Sequence, residues 1–291
     1  MTSVEAPGSE VAGGLLADDD LPDLLALVDR DPLVNVVVRA RLAQVSTLDA
    51  ARLGGQVYGV RDDSGLLVAA VFSGGNLLPL GGTAERLREL GRYLAGRRRV
   101  CSSIVGRVDD VAALWGELEP AWGAARLVRE RQPLLTTSTA PDVGGAVRPV
   151  ELVTPSAEDV DRYLPAAVAM FREELDLPPL SSTGSAEYRR RVTGLLRARR
   201  GFAVFDRHGD VVFKADIGTV TPHTAQVQGV WTRPDRRRHG LATAAMAEVI
   251  RRGLELAPTV SLYVNDFNLA ARRLYERLGM HQAAVLTTVL F

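Results

Sequence analysis

Lysine is almost missing from this chain: Lys214 is the only one among 35 Lys and Arg side chains. Arginine supplies every other cation, a skew that reads as the coding bias of a GC-rich genome, so an arginine counts as functional evidence only inside a defined motif. Cysteine is as scarce. Cys101 alone cannot close an intramolecular disulfide, and its apolar surroundings read as a strand holding a small buried hydrophobe. Net charge is absent too, because 35 basic and 35 acidic side chains cancel, which removes the long-range field that non-specific nucleic-acid binding requires. A nucleic-acid partner is therefore disfavoured. No apolar run approaches the ~20 residues of a membrane span, and the opening MTSVEAPGSEVAGG has no basic stretch followed by an apolar one, as a signal peptide would. These absences predict a cytoplasmic protein with no membrane partner, starting with a disordered segment over residues 1–14. The 4 histidines and the lone cysteine show no ligand spacing, so no metal is expected.

What is present is a long, apolar chain. With 291 residues and 46% hydrophobic content it exceeds the usual single domain, and two cores are the natural expectation. Residues 139–146, TAPDVGGA, lack apolar periodicity and are rich in turn formers, so they read as a linker between domains at 15–138 and 147–291. Beyond it, VRPVELVTP reads as a strand, and SAEDVDRYLPAAVAMFREEL as an amphipathic helix capped by Ser156. After the loop DLPPLSSTG comes the helix SAEYRRRVTGLLRARR, then a three-strand meander FAVFD, VVFKADIGTV and AQVQGVWT. A helix from about His239 to Leu256, the strand TVSLYV, the helix NLAARRLYERLG and the strand AAVLTTVLF close the chain. The first half ends in a matching series, VCSSIV, DDVAALWGELEPAWG and ARLVRERQPLLTT, which points to an internal duplication.

The stretch GVWTRPDRRRHGLATAAMAEVI puts a strand, a turn and a helix in succession, with small residues Gly240 and Ala242 at the helix start. Free N–H groups and the peptide dipoles make such a start a natural seat for a pyrophosphate, and small residues let the backbone approach closely. The pattern R-x-x-G-x-A after V-W-T, followed by N-x-x-A-x-x-x-Y-x-x-x-G, resembles the acetyl-CoA signature of the GCN5-related N-acetyltransferase (GNAT) superfamily. The resemblance covers residues 147–291 and is strongest from Gln226 to Met280. It implies an α/β protein of tandem GNAT-like folds, each a mixed, mostly antiparallel sheet flanked by helices. The N-terminal copy resembles an uncharacterised domain found in actinobacterial acetyltransferases.

Carried onto this chain, the resemblance implies that backbone amides of Arg237, Arg238, His239, Gly240, Leu241, Ala242 and Thr243 cradle the pyrophosphate of acetyl-CoA. Val230, Trp231 and Thr232 would pair with the pantetheine arm, with an N–H near Val230 polarising the acetyl carbonyl. Asn268 would cap its helix or bind the same arm. Tyr275 would be the general acid for the departing thiolate, while its position between Leu274 and Leu278 also suits a half-buried core aromatic. The usual strand glutamate is replaced by Gln226 and Gln228, so Asp216, His223 and Glu174 are the remaining titratable candidates for the base. Glu173, Glu174 and Asp176 could attract a cationic amine. The expected acceptor is a small-molecule or peptide amine, and a homodimer is one expected assembly. A non-catalytic acyl-CoA sensor is the alternative, and a tRNA-dependent aminoacyl transferase is opposed by the neutral charge. In the first half, Glu85 and Trp115 stand where the phosphate site and Tyr275 would be, which marks a degenerate copy. Because few residues follow Gly279, the strand ERQPLLTTS is expected to complete the second sheet.

Overall fold

The computed structural model describes residues 13–144, 148–175 and 182–291, and the chain divides into two compact units. The first comprises residues up to Gln132 together with Ala284–Phe291; the second runs from Pro133 to Ala283. The divisions fall inside strands, not within residues 139–146, the segment expected to link the halves. The expected disordered start lies outside the described residues except for Gly13 and Gly14, which belong to a strand.

The first unit opens with β1 (Gly13–Leu15), then α1 (Leu21–Val28), α2 (Val36–Val45) and α3 (Ala50–Leu53). There follow β2 (Gly55–Arg61), β3 (Leu67–Gly74), β4 (Asn76–Pro79), α4 (Ala84–Ala95), β5 (Ser103–Arg107), α5 (Val108–Trp122) and β6 (Leu127–Thr137). Strands β1 to β4 pair antiparallel in order, with the β2–β3 turn made by Asp62, whose side chain accepts from the Ser64 and Leu66 amides, and by Gly65 at φ 84°. Strands β4 and β5 are parallel. Helices α4 and α5 bury Leu87, Leu90, Leu114 and Leu118 over one face of this sheet, and Cys101 joins the same core, where burial pushes its thiol up. Leu24, Leu27, Val38 and Leu42, from α1 and α2, cover Phe72 and Ala70 on the other face. Those two helices were not anticipated from the sequence.

The second unit repeats the order. It has α6 (Val160–Leu175), α7 (Ser182–Arg197), β7 (Gly201–Phe205), β8 (Val211–Val220), β9 (Ala225–Thr232), α8 (Leu241–Leu254), β10 (Val260–Tyr263), α9 (Leu269–Arg277) and the start of β11 (His281–Leu290), which belongs to the first unit from Ala284 on. Ser156 caps a short turn ahead of α6 and exchanges hydrogen bonds with Asp159, a capping box. Of the expected strand VRPVELVTP, Val147 lies outside the described residues and the rest makes one bridge, Val153 to Ala203. Its backbone finds no longer run of partners there. Strands β7, β8 and β9 form an antiparallel meander, and β10 runs parallel to β9. One core, with Phe213, Ala215 and Ile217, packs under Met246, Val249 and Ile250 of α8; another, with Ala203 and Trp231, packs under Tyr163, Ala167 and Met170 of α6.

The closing strands are exchanged. In the second unit, Leu134–Thr137 of β6 pair antiparallel with all of β10, which is the completion expected from ERQPLLTTS. In the first unit, Leu286–Leu290 of β11 pair with β5, and Thr287 and Thr288 bond to Arg129 and Gln132 of β6.

Candidate functional site

The site is built where β9 loses one neighbour. Strands β9 and β10 pair only at Ala225 with Val260 and Gln226 with Ser261. Among the described residues, no strand covers that edge of β9 from Val227 to Thr232, while its opposite edge stays paired with β8. A strand edge with unpaired N–H and C=O groups is a ready partner for an extended chain bearing amides. Two register slips shape this stretch. Lys214 pairs with Trp231 and Asp216 with Gln228, so β9 carries one extra residue opposite Ala215, at Gly229 and Val230. A second slip lies at Gly218, over which the Gln228 side chain is laid: a β-carbon there would lie 1.9 Å from its Nε2.

Beyond Thr232 the chain passes through a single turn at Pro234–Arg236 and enters the loop Arg237–Gly240, with Arg238 at φ 63° and Gly240 at φ 79°. Gly240 takes this left-handed conformation at no steric cost, and nothing lies near its missing β-carbon. Helix α8 begins at Leu241, with no side chain capping it. The Leu241, Ala242 and Thr243 amides precede the first helical hydrogen bond, Ala244 N–H to Gly240 O, and so have no partner within the helix. Arg238, His239 and Gly240 are exposed. Free backbone N–H groups at a dipole's positive end are chemically suited to an anion.

The Arg237 side chain points elsewhere. Its Nε donates to Thr232 O at 2.9 Å and its Nη2 meets Glu173 Oε2 at 2.6 Å. Glu173 also accepts from Trp231 Nε1 at 3.0 Å, so it ties the end of α6 to both β9 and the loop. The loop's entrance is held by Arg233, paired with Asp206 at 2.9 Å and Asp235 at 2.7 Å. Burial would raise the Asp206 carboxyl, but Arg233 and the Asp210 and His208 amides bring it down to about 2. Asp206, His208, Arg233 and Asp235, with Arg207 and His239, line an open cleft of about 840 Å³.

Asn268 caps α9, its side chain accepting from Ala271 N–H at 3.1 Å. Tyr275, two turns on, is 5% exposed and packs in the α8-side core with Leu278 and Met280. Val230 packs against the same core, while Trp231 faces α6. Of the candidate bases, His223 lies in the β8–β9 turn, seven residues or about 23 Å of strand from Val230. The side chain of Glu174 and all of Asp176 lie outside the described residues. Asp216 is buried and fully engaged: Tyr163 donates to its Oδ1 and Lys214 Nζ to its Oδ2 at 2.6 Å. Burial, then the Asp216 charge, pushes the Tyr163 phenol well above its ordinary value, so it stays a donor. Lys214, Tyr163 and Met170 escaped the sequence reading. The signal available was the lone lysine itself, standing where the chain would otherwise use arginine.

The first unit differs at the corresponding places. Its parallel pair β4–β5 also registers at two residues, Asn76 with Ser103 and Leu77 with Ile104, but the strands stay in contact beyond them: a β-carbon on Gly106 would lie 2.6 Å from the Pro79 ring. Helix α4 is capped by Thr83 and carries Glu85 in its first turn, and Trp115 packs at a tilt against Phe291, ring centroids 5.4 Å apart.

The Acetyltransferase (GNAT) family model matches residues 156–280. Residues 156–280 form a GNAT-family domain. A domain of unknown function, DUF4081, matches residues 55–163. No curated protein sequence matches the chain. Among solved structures, a GNAT acetyltransferase from Colwellia psychrerythraea is 11% identical, with 96% of this chain and 99% of that one covered at TM-score 0.58. A GCN5-related N-acetyltransferase from Sphaerobacter thermophilus is 17% identical, covering 96% and 95% at TM-score 0.56. A tandem GNAT protein from the clavulanic acid biosynthesis pathway is 15% identical, covering 96% and 98% at TM-score 0.51. The fold is thus a tandem of GNAT-like α/β sheets, and the GNAT-family domain supports acyl transfer to an acceptor. Among the described residues, no three His, Cys, Asp or Glu side chains gather as metal ligands, and no helix is long and apolar enough to cross a membrane.

Proposed function

We propose that the second unit is an N-acetyltransferase that moves acetyl from acetyl-CoA to a primary amine by direct attack in a ternary complex. The observation that carries this is the adjacency of two features: the uncovered edge of β9 and the uncapped, left-handed entry into α8. The residues fit the cofactor, because an extended amide-bearing arm suits the strand edge and a diphosphate suits the N–H groups of Leu241, Ala242 and Thr243. Acetyl-CoA supplies an acetyl group activated as a thioester. Val230 N–H offers a hydrogen bond to the carbonyl oxygen as negative charge grows there, and Tyr275 supplies the proton to the sulfur that leaves. Asn268 orders the start of α9 and so the position of Tyr275. Glu173, at the α6 end, holds Trp231 Nε1 and Arg237 and so fixes the end of β9 against the loop before α8.

Asp216, held by Lys214 and Tyr163, is not the base, and neither Gln226 nor Gln228 accepts a proton, so the amine reaches the site neutral or loses its proton through water. We place the activity in the cytoplasm, where acetyl-CoA is at hand. The test is calorimetry with acetyl-CoA followed by thiol release over a panel of amines. Binding by the wild type and its loss in Gly240→Glu, which puts a carboxylate and a strained φ at the phosphate seat, support the proposal. Absence of wild-type binding overturns it, and binding without thiol release for any amine favours the acyl-CoA sensor instead.

A further inference from the structure

The chain's only lysine is fully buried, 0% exposed, under α6. A buried ammonium is costly unless paired and hydrogen-bonded, and this one is both. Its Nζ donates to Asp216 Oδ2 at 2.6 Å and to Gly229 O at 3.0 Å, with Met170 Sδ at 3.7 Å and the Tyr163 ring centroid at 5.3 Å. Asp216 is in turn closed off by Tyr163. The cluster is neutral overall and saturated, so its chemistry is that of a clamp.

What it clamps is the extra residue of β9. Gly229 stands at φ 61°, and a β-carbon there would fall 2.7 Å from Asp216 Oδ2 and 2.9 Å from Lys214 Nζ. Glycine is thus required twice, for its conformation and for the close approach of the ion pair. The Gly229 carbonyl and the Val230 N–H belong to one planar trans peptide, so they point in opposite directions. Lys214 rises from β8 on the α6 side of the sheet, where Met170 and Tyr163 lie against its Nζ. Fixing that carbonyl on Lys214 turns the Val230 N–H the opposite way, away from α6 and the ion pair.

We propose that Lys214 is a positioning residue: by holding the Gly229 carbonyl it locks the Gly229–Val230 peptide so that the Val230 N–H faces the acyl carbonyl of the bound thioester. This rests on the acetyl-CoA reading above. Lysine suits the task and arginine does not, because a compact ammonium with three donors can serve Asp216 and Gly229 at once, whereas a planar guanidinium needs more room.

The acyl carbonyl is present in acetyl-CoA and missing from CoA, so the contact is read as the ratio of their affinities, measured by calorimetry on the full chain. The wild type is expected to prefer acetyl-CoA by about fivefold, the order of one neutral hydrogen bond. In Lys214→Met the ratio is expected to fall to about one while CoA binds as before. Since Lys214→Met alone leaves Asp216 buried without its partner, the double variant Lys214→Met/Asp216→Leu, apolar and of similar volume, is measured beside it and should show the same loss. A lysine that served folding alone would weaken both ligands together and leave the ratio intact. Retention of the wild-type ratio in the double variant overturns the proposal, as does a wild type that binds both ligands equally. If the wild type binds neither ligand, the acetyl-CoA reading itself fails and the inference goes with it.

Discussion

Asp110 is the third residue of α5, where free amides and the helix dipole favour a carboxylate, yet burial pushes its carboxyl up to about 6 against the opposing pull of Arg107. The folded state therefore holds this proton more tightly than the unfolded chain does. The stabilisation is complete below about 4 and disappears as pH rises from about 4 to about 6. Asp110→Asn should melt at a higher temperature than the wild type at pH 7, and the difference should vanish near pH 4 in thermal scans. Asp206 has the opposite sign: its contribution is present above about 4 and is lost as pH falls toward about 2. At Tyr275 the expectation is kinetic. Tyr275→Phe keeps the buried ring, so acetyl-CoA affinity should hold while the rate of thiol release falls by about a hundredfold. The places of Tyr275 on α9 and of Gly240 before α8 were legible because short-range spacing carries them. Lys214 was not, because its meaning comes from α6, β8 and an extra residue in β9 meeting at one point.

Helices and strands follow local rules, and here the sequence reads well. The segments VVFKADIGTV and AQVQGVWT, read as strands of a meander, are β8 and β9, and NLAARRLYERLG, read as a helix, contains α9. What local pattern cannot show is how far two strands stay together. The parting of β9 from β10 after Gln226 and the contact of Pro79 with Gly106 beyond the paired part of β4 and β5 both depend on neighbours distant in sequence. The strand expected at VRPVELVTP failed for the same reason. Close packing also explains a helix pair in the first unit: a β-carbon on Gly91 of α4 would meet Glu117 of α5 at 2.8 Å. Gly91→Val should therefore destabilise the protein by about 2 kcal/mol in urea titrations. At the start of α6, Ser156→Ala should cost about 1 kcal/mol by removing the capping box.

For the whole molecule, the exchanged strands govern what can be separated. Residues 147–291 contain the candidate site but not Leu134–Thr137, the antiparallel partner of β10. Expressed alone, that segment should expose the edge of β10 and aggregate, whereas the full chain should remain in solution, which soluble yield and gel filtration would compare. Removing residues 284–291 should expose β5 in the first unit in the same way and lower its melting temperature. The same exchange also orders events in time. A nascent chain emerges from its N-terminus at about 5–20 residues per second, and earlier domains ordinarily fold while later ones are still being made. Here β5 cannot receive Leu286–Leu290 until those residues have cleared the ribosome, so one edge of the first unit's sheet stays open, and needs protection, for as long as the whole second unit takes to be made.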